Sequence, residues 1–177
     1  MILKVFVCVG LPGSGKSTWA KKKVKETSSR NPKTIIVNKD AIRTMIHGTY
    51  RYDYQYKDLV KALRYSILNT LVCHGYNIII DETNINREER VRLIYDLHSI
   101  AHKWDRVTLK IIGVWFTENN RNLEFCMRSP KGQKKSIWSM VICTMKQDFE
   151  KPIKSEGFDE IVKRDIYGKA VHTSRKA

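Results

Sequence analysis

The sequence has no long apolar run, no internal repeat, no proline- or glycine-rich linker and no cysteine pair in C-x-x-C spacing. Its apolar runs are far shorter than the roughly 20 residues that span a bilayer, so we expect no membrane segment. The N-terminal apolar stretch lacks the organisation of a signal peptide. Cys8, Cys73, Cys126 and Cys143 are therefore expected to be reduced, mostly buried thiols of a cytoplasmic protein, without a zinc site.

Acidic residues are also scarce in this chain of 177 residues. It has 18 aspartates and glutamates against 33 lysines and arginines, which gives a formal net charge of +15 at pH 7. Such an excess of positive charge attracts polyanions and favours a nucleic acid as partner. The alternative is a generally solvated basic surface.

The most specific pattern is GLPGSGKS at residues 10–17, which matches the phosphate-binding P-loop G-x-x-x-x-G-K-[ST]. An apolar run precedes it and a helix-compatible run follows, as the motif requires. The pattern predicts that Lys16 reaches the β- and γ-phosphates of ATP, GTP or another nucleoside triphosphate, and that the Ser17 hydroxyl holds Mg²⁺. The remaining expected nucleotide contacts are Gly10, Pro12, Gly13, Ser14, Gly15 and Thr18.

Short apolar runs alternate along the chain with segments of helical periodicity. With the P-loop, this alternation predicts an α/β fold: a P-loop NTPase-type parallel sheet flanked by helices, with a helical basic lid. We expect one domain over residues 1–165 and a basic tail over 166–177. In a helix at 87–103, Val91, Ile94, Tyr95, Leu97 and Ala101 are expected to face the core. Strands are predicted at 3–9, 34–37, 76–80, 107–116 and 158–162, and the other helices at 18–26, 39–48, 54–74, after Thr117 and at 137–149.

Two aspartates follow predicted strands, where the active sites of parallel α/β proteins lie. Asp81 comes after three isoleucines and is predicted to organise Mg²⁺, the alternative being a helix cap or turn. Asp40 and Arg43 share one helical face, where a carboxylate can accept a proton and an arginine can grip a phosphate. A helix-start acid with a surface arginine is an equal alternative.

Three further patterns remain open. Arg121, Arg128, Lys131, Lys134 and Lys135 resemble a basic lid, in which an arginine can neutralise a transferring phosphoryl group; for the lysines a solvated face is favoured. The tyrosines of segment 50–56 suit base stacking or core packing, and we favour core packing. His98 and His102 lack the other elements of a zinc motif and are read as helix-surface residues.

Four blocks together resemble the polynucleotide 5′-hydroxyl kinase family, including the kinase domain of phage polynucleotide kinase-phosphatases. They are GLPGSGKSTWA at 10–20, VNKDAIR at 37–43, IIIDETNINREER at 78–90 and FEKPIKSEGFDEI at 149–161. Such enzymes transfer the γ-phosphate of a nucleoside triphosphate to the 5′-OH end of DNA or RNA in nucleic-acid repair. If the chain is phage-encoded, its location is the host cytoplasm.

The resemblance implies a role for each matching residue. Asp40 is the general base on the 5′-OH, Arg43 holds the adjacent phosphate, and Asp81 organises the metal. Lys16 and Ser17 hold phosphate and Mg²⁺, and Thr83 and Asn84 contact the acceptor. The lid match is loose: Arg128 is assigned to the transition state and Arg121 to the nucleotide.

Other readings compete with this one. The runner-up is a P-loop kinase of a small metabolite or of an aminoacylated RNA hydroxyl, and a third is a nucleotide-gated nucleic-acid binding module. No D-x-D-x-[TV] phosphatase block or K-x-D-G ligase block is found, so we expect a stand-alone kinase or an excised domain. The preferences for DNA or RNA and for ATP or GTP, and the oligomeric state, stay open.

Overall fold

A parallel β-sheet forms the centre of the fold, in a computed structural model that describes residues 1–117, 124, 126 and 135–165. Its strands are β1 (Ile2–Val9), β2 (Thr34–Val37), β3 (Asn77–Ile80), β4 (Thr108–Phe116) and β5 (Glu160–Arg164). They lie in the order β2-β3-β1-β4-β5, and every neighbouring pair is parallel. The predicted α/β fold with a parallel sheet is confirmed.

Helices connect the strands and cover both faces of the sheet. They are α1 (Lys16–Thr27), α2 (Lys39–His47), α3 (Lys57–Cys73), α4 (Arg87–Ala101) and α5 (Lys135–Gln147), with single 3₁₀ turns at Tyr54–Tyr56 and Lys154–Glu156. Within the described ranges, no helix combines the length and apolar character needed to cross a membrane.

The core lies on both sides of β1 and β3, because most residues of these strands are apolar and buried. Ile78, Ile79 and Ile80 are completely buried. Ile78 and Ile80 pack with α3 and α4, whereas Ile79 packs with Trp19 of α1. Burial of each such side chain stabilises the fold by about 1.5–3 kcal/mol.

Several sequence-based expectations are corrected by the structure. Val91 and Tyr95 are exposed, because Leu93, Ile94 and Leu97 form the buried stripe of α4 and residues 91 and 95 lie on the opposite face. Only Cys8 and Cys126 are buried, whereas Cys73 and Cys143 are exposed.

Element boundaries also differ from the predicted ones by a few residues. The segment expected to be one helix from residue 54 begins with a 3₁₀ turn, and α5 begins at Lys135 rather than near residue 137. The last strand begins at Glu160 because Phe158 is buried in the core, with its ring against Gly113. None of these shifts changes which residues reach the carboxyl ends of the strands.

Candidate active site

The P-loop connects β1 to α1 at the carboxyl end of the central strand. Gly15 has φ 92° and is the N-cap of α1, a left-handed conformation that favours glycine. At Gly10 a Cβ atom would lie 3.0 Å from Phe116 Cβ and 3.1 Å from the Phe116 carbonyl oxygen. Both glycines are therefore required for the loop to turn this tightly against β4.

Lys16 lies inside this loop rather than extending into solvent. Its Nζ donates to the carbonyl oxygens of Gly10 at 3.0 Å and Leu11 at 2.7 Å, and to Ser14 Oγ at 3.2 Å. The residue is 8% exposed. A positive charge is thus held at the concave side of the loop, next to the N-terminus of α1, where anions bind favourably.

The loop after β3 is tied directly to the P-loop. The backbone N–H of Gly10 donates to the Thr83 carbonyl at 2.9 Å, and Asn84 Nδ2 donates to the Cys8 carbonyl at 2.8 Å. Asn84 is 5% exposed, so its amide is used inside the fold even though the residue borders the cleft. Thr83 and Asn84 therefore fix the position of the P-loop relative to β3.

Asp81 is buried at the end of β3, and its Oδ1 has no hydrogen-bond partner within the described residues. Burial, and secondarily the Asp81 carboxylate, raises the pKa of the nearby Cys8 thiol, while Lys16 acts in the opposite direction. Ser17 is exposed at the mouth of the same cleft. A carboxylate with an unsatisfied oxygen and a hydroxyl are suitable oxygen ligands, direct or through water, so these residues fit a Mg²⁺ ion.

Asn38 connects β2 to β3 at this edge of the sheet. Its Oδ1 caps α2 by accepting from the backbone N–H of Asp40 at 2.7 Å and of Ala41 at 3.2 Å. Its Nδ2 donates to the Asp81 carbonyl at 2.6 Å. One side chain therefore fixes the start of the Asp40 helix relative to Asp81. Asn38 was not among the predicted site residues, although an asparagine between a strand and a helix is a typical N-cap signal.

Asp40 and Arg43 form an ion pair on the first turn of α2. Arg43 Nη1 lies 2.7 Å from Asp40 Oδ1, with side chains 18% and 38% exposed respectively. Both residues border the same cleft as the P-loop. Because the carboxylate is partly exposed, a hydroxyl group entering the cleft can approach it.

Glu82 connects α2 to α3 through two ion pairs. Its carboxylate lies 3.1 Å from Lys39 Nζ and 3.0 Å from Arg64 Nη1, and the side chain is only 8% exposed. No local sequence pattern indicates this role of Glu82, because the residue pairs with a lysine and an arginine that lie far from it along the chain. It holds α2 and α3 against the loop after β3.

Arg90 fixes the far end of that loop. Its side chain is completely buried and bonded to both oxygens of Glu156, at 2.6 and 2.8 Å. Its Nη1 also donates to the carbonyls of Asn84 and Ile85, at 2.9 Å each. No local pattern identifies this buried pair, because its partners are 66 residues apart.

One large cleft of about 1670 Å³ joins the P-loop, Asp81 and the Asp40–Arg43 pair. Its volume exceeds the roughly 300–1,000 Å³ typical of a site for one small molecule. Its described lining residues differ in charge from one element to another. The α2–α3 side carries Lys39, Arg43, Lys57 and Lys61 with Asp40 and Asp53, whereas α4 and residues 148–150 contribute Glu88, Glu89, Asp148 and Glu150 with Arg92.

The tyrosines of segment 50–56 were expected to pack in the core, and the structure corrects this expectation. Tyr52 is 61% exposed and Tyr54 is 75% exposed. Tyr50 and Tyr52 border the cleft on its basic side.

The expected basic lid lies almost entirely outside the described residues. Arg121, Arg128, Lys131 and Lys134, and the tail at 166–177, lie outside the described residues. Only the backbone of Lys135 is described, as the first residue of α5.

Three solved structures resemble this chain in fold. A fungal RNA kinase matches with a TM-score of 0.64 and 15% identity, over 100% of this chain and 78% of its own. A chain of the Pnkp1/Rnl/Hen1 RNA repair complex matches with a TM-score of 0.53 and 21% identity, over 99% of this chain and 50% of its own. The APS kinase CysC of Mycobacterium tuberculosis, in complex with AMPPNP and APS, matches with a TM-score of 0.60 and 14% identity, over 93% and 91%.

At these identities the likeness concerns the fold alone, which is P-loop NTPase-like, and the P-loop of such a fold implies nucleotide binding. A family model described as an AAA domain, AAA_33, matches residues 5–107, more than half of the chain. The chain therefore belongs to the AAA_33 family.

Proposed function

We propose that the protein is a polynucleotide 5′-hydroxyl kinase, which transfers the γ-phosphate of a nucleoside triphosphate to the 5′-OH end of DNA or RNA. The observation that carries this proposal is the Asp40–Arg43 ion pair, at 2.7 Å, on a basic wall of the P-loop cleft. A base and a phosphate-binding group side by side suit an alcohol that is followed by a phosphate.

The nucleotide half of the proposed site is the P-loop. Its backbone N–H groups and Lys16 bind the β- and γ-phosphates. The residues of this segment that line the cleft are Pro12, Gly13, Ser14, Gly15 and Thr18. Ser17 and Asp81 would hold a Mg²⁺ ion, which would supply neutralisation of the phosphate charge.

In the acceptor half, Asp40 accepts the proton of the 5′-OH while Arg43 holds the phosphate on the 3′ side of the terminal nucleoside. The acceptor oxygen forms a bond to the γ-phosphorus, and the bond from that phosphorus to the β–γ bridging oxygen breaks. The nucleoside diphosphate leaves and the proton remains on Asp40. Positioning and charge neutralisation supply most of the rate enhancement in such a reaction.

A lid arginine completes the proposal. Arg128 is assigned to the charge on the transferring group and Arg121 to the nucleotide, by resemblance to the kinase family. An arginine in the first role contributes about 10³–10⁵ in rate in comparable enzymes. Separate Arg128→Ala and Arg121→Ala variants assign the roles: the larger fall in kcat identifies the transition-state residue.

The test is a transfer assay with γ-labelled ATP and GTP across several acceptors. We expect label on single-stranded DNA or RNA with a 5′-OH, and none on the same oligonucleotide with a 5′-phosphate. Small hydroxyl acceptors such as adenosine phosphosulfate or gluconate serve as the competing class. Efficient labelling of a small acceptor, without labelling of any 5′-OH end, would replace the proposal by the small-metabolite reading.

A further inference from the structure

The connection between α2 and α3 carries exposed aromatic rings that the proposed chemistry does not use. Tyr52 and Tyr54 are more than half exposed, and Tyr50 lies beside Tyr52 at the cleft. Grouped exposed rings are costly to leave in water and mark a surface that binds something.

Tyr52 lies directly beside the proposed acceptor site. The Arg43 guanidinium is 5.6 Å from the centroid of the Tyr52 ring, and the same guanidinium is paired with Asp40. A strand whose first phosphate is held by Arg43 therefore presents its next base close to this ring.

Local contacts hold the segment in place, so that the rings are presented on an anchored loop. His47 and Tyr56 stack with ring centroids 4.9 Å apart and an interplanar angle of 18°. Asp53 Oδ1 accepts from the backbone N–H of Gln55 at 2.9 Å, which caps the 3₁₀ turn. An anchored loop loses less conformational entropy when a ligand binds than a free one does.

Exposed lysines continue the surface along α3. Lys57 and Lys61 border the cleft, and Lys57 Nζ lies 5.5 Å from the centroid of the Tyr54 ring. Aromatic rings next to lysines form the usual surface for single-stranded nucleic acid, where rings stack on bases and cations follow the phosphates. The carboxylates of α4 and of residues 148–150 make those parts of the cleft less favourable for a polyanion.

We propose that Tyr52, with Tyr50 beside it, is a stacking platform for an unpaired acceptor strand. The base of the second nucleotide stacks on Tyr52, and the following phosphates run towards Lys57 and Lys61. The inference rests on the proposed function and adds that the preferred acceptor is a single strand longer than one nucleotide. A base inside a duplex stays stacked on its neighbours and cannot use the platform.

The experiment compares an acceptor that reaches the platform with one that does not. Transfer is measured on a single-stranded 5′-OH octanucleotide and on a nucleoside 3′-monophosphate, which has the first phosphate but no second base. Tyr52→Ala should lower kcat/KM for the octanucleotide by about 5- to 150-fold, through KM, and leave the mononucleotide unchanged. Tyr52→Phe should retain activity on both, because it keeps the ring.

Tyr95→Ala is the matched control, since Tyr95 is a tyrosine of α4 that is also more than half exposed and does not line the cleft. It should match the wild type on both acceptors. An unchanged octanucleotide KM in Tyr52→Ala overturns the platform. An equal loss on both acceptors overturns it too, because Tyr52 would then act only by positioning Arg43.

A binding measurement separates failure of the platform from failure of the kinase proposal. Fluorescence anisotropy with a 3′-labelled, 5′-OH octanucleotide should show weaker binding by Tyr52→Ala than by Tyr52→Phe or Tyr95→Ala. A blunt hairpin should compete poorly. If this pattern is found without any phosphoryl transfer, the platform stands and the kinase proposal fails; equal binding by all variants, or equal competition by the hairpin, overturns the platform.

Discussion

At the scale of single residues, Asn38 and Asp81 fix the position of the proposed acceptor side of the site. The Asn38 side chain caps α2 through its oxygen and donates to the Asp81 carbonyl through its nitrogen, so it holds the Asp40 helix against the strand end that carries Asp81. Burial, and secondarily the charge of Asp81, raises the pKa of the Cys8 thiol, while Lys16 lowers it. The chemistry of Cys8 is therefore governed first by its burial and then by these charged neighbours.

The cysteines should differ in reactivity for this reason. Burial and the Asp81 carboxylate raise the pKa of Cys8, and the thiolate is the reactive form, so Cys8 should stay unmodified in the native protein. Iodoacetamide followed by peptide mass spectrometry should modify the exposed Cys73 and Cys143 first. Unfolding in urea is the control, since it should make Cys8 reactive, and fast native modification of Cys8 would contradict the account.

At the scale of elements, the buried Arg90–Glu156 pair holds α4, the loop after β3 and the 3₁₀ turn at Lys154–Glu156 together. Neither side chain is accessible to solvent. Arg90 also bonds to two carbonyls of the loop that carries Thr83 and Asn84. The geometry of the site therefore depends on an ion pair that touches no proposed substrate.

Removing one partner of this pair should strongly destabilise the fold. Arg90→Met leaves the Glu156 charge buried without its partner and should lower the free energy of unfolding by about 3–5 kcal/mol. Urea unfolding followed by circular dichroism measures this change. Arg92→Met is the matched control, because Arg92 pairs with Glu88 on the surface with side chains 67% and 81% exposed, and it should cost less than about 1 kcal/mol.

The double variant Arg90→Met/Glu156→Leu tests whether the unpaired buried charge causes this loss of stability. It should lose clearly less stability than the two single changes added together, since no charge remains buried. Additive losses would contradict a coupled pair.

The order of elements could be predicted from the sequence because local patterns specify it. The strand at 34–37 and the strand end at Ile80 follow directly from short apolar runs, and the P-loop from its glycine and lysine spacing. Contacts such as Asn38 to Asp81 and Arg90 to Glu156 join residues 43 and 66 positions apart, so no local pattern predicts them. Tyr52 was misread because alternating tyrosines fit a buried and an exposed face equally well.

At the scale of the whole molecule, the net charge of +15 acts together with the uneven distribution of charge in the cleft. Its described cations lie mainly on the α2–α3 side, where the proposed strand binds, and its carboxylates lie mainly on α4 and at residues 148–150. Charge of this kind guides a polyanion to one side and raises its rate of association.

Because of this arrangement, the KM values for the proposed oligonucleotide and triphosphate substrates should respond differently to salt. The KM for a 5′-OH oligonucleotide should rise steeply between 50 and 200 mM KCl, because several phosphates release counterions on binding. The KM for the triphosphate should rise less, since its phosphates are held by the P-loop. Initial rates at several salt concentrations measure both values, and equal responses would contradict a basic path for a polymer.

The central claim is that Asp40 removes the proton from a 5′-OH across the cleft from the P-loop. Single-turnover transfer from γ-labelled triphosphate to a 5′-OH oligonucleotide, by wild type and by Asp40→Asn, tests it most directly, with Asp58→Asn as a control whose side chain is 95% exposed on α3. We expect Asp40→Asn to lose about 10²–10⁴ in rate, with triphosphate affinity measured by calorimetry unchanged and Asp58→Asn like the wild type. Transfer by Asp40→Asn at the wild-type rate would contradict the claim.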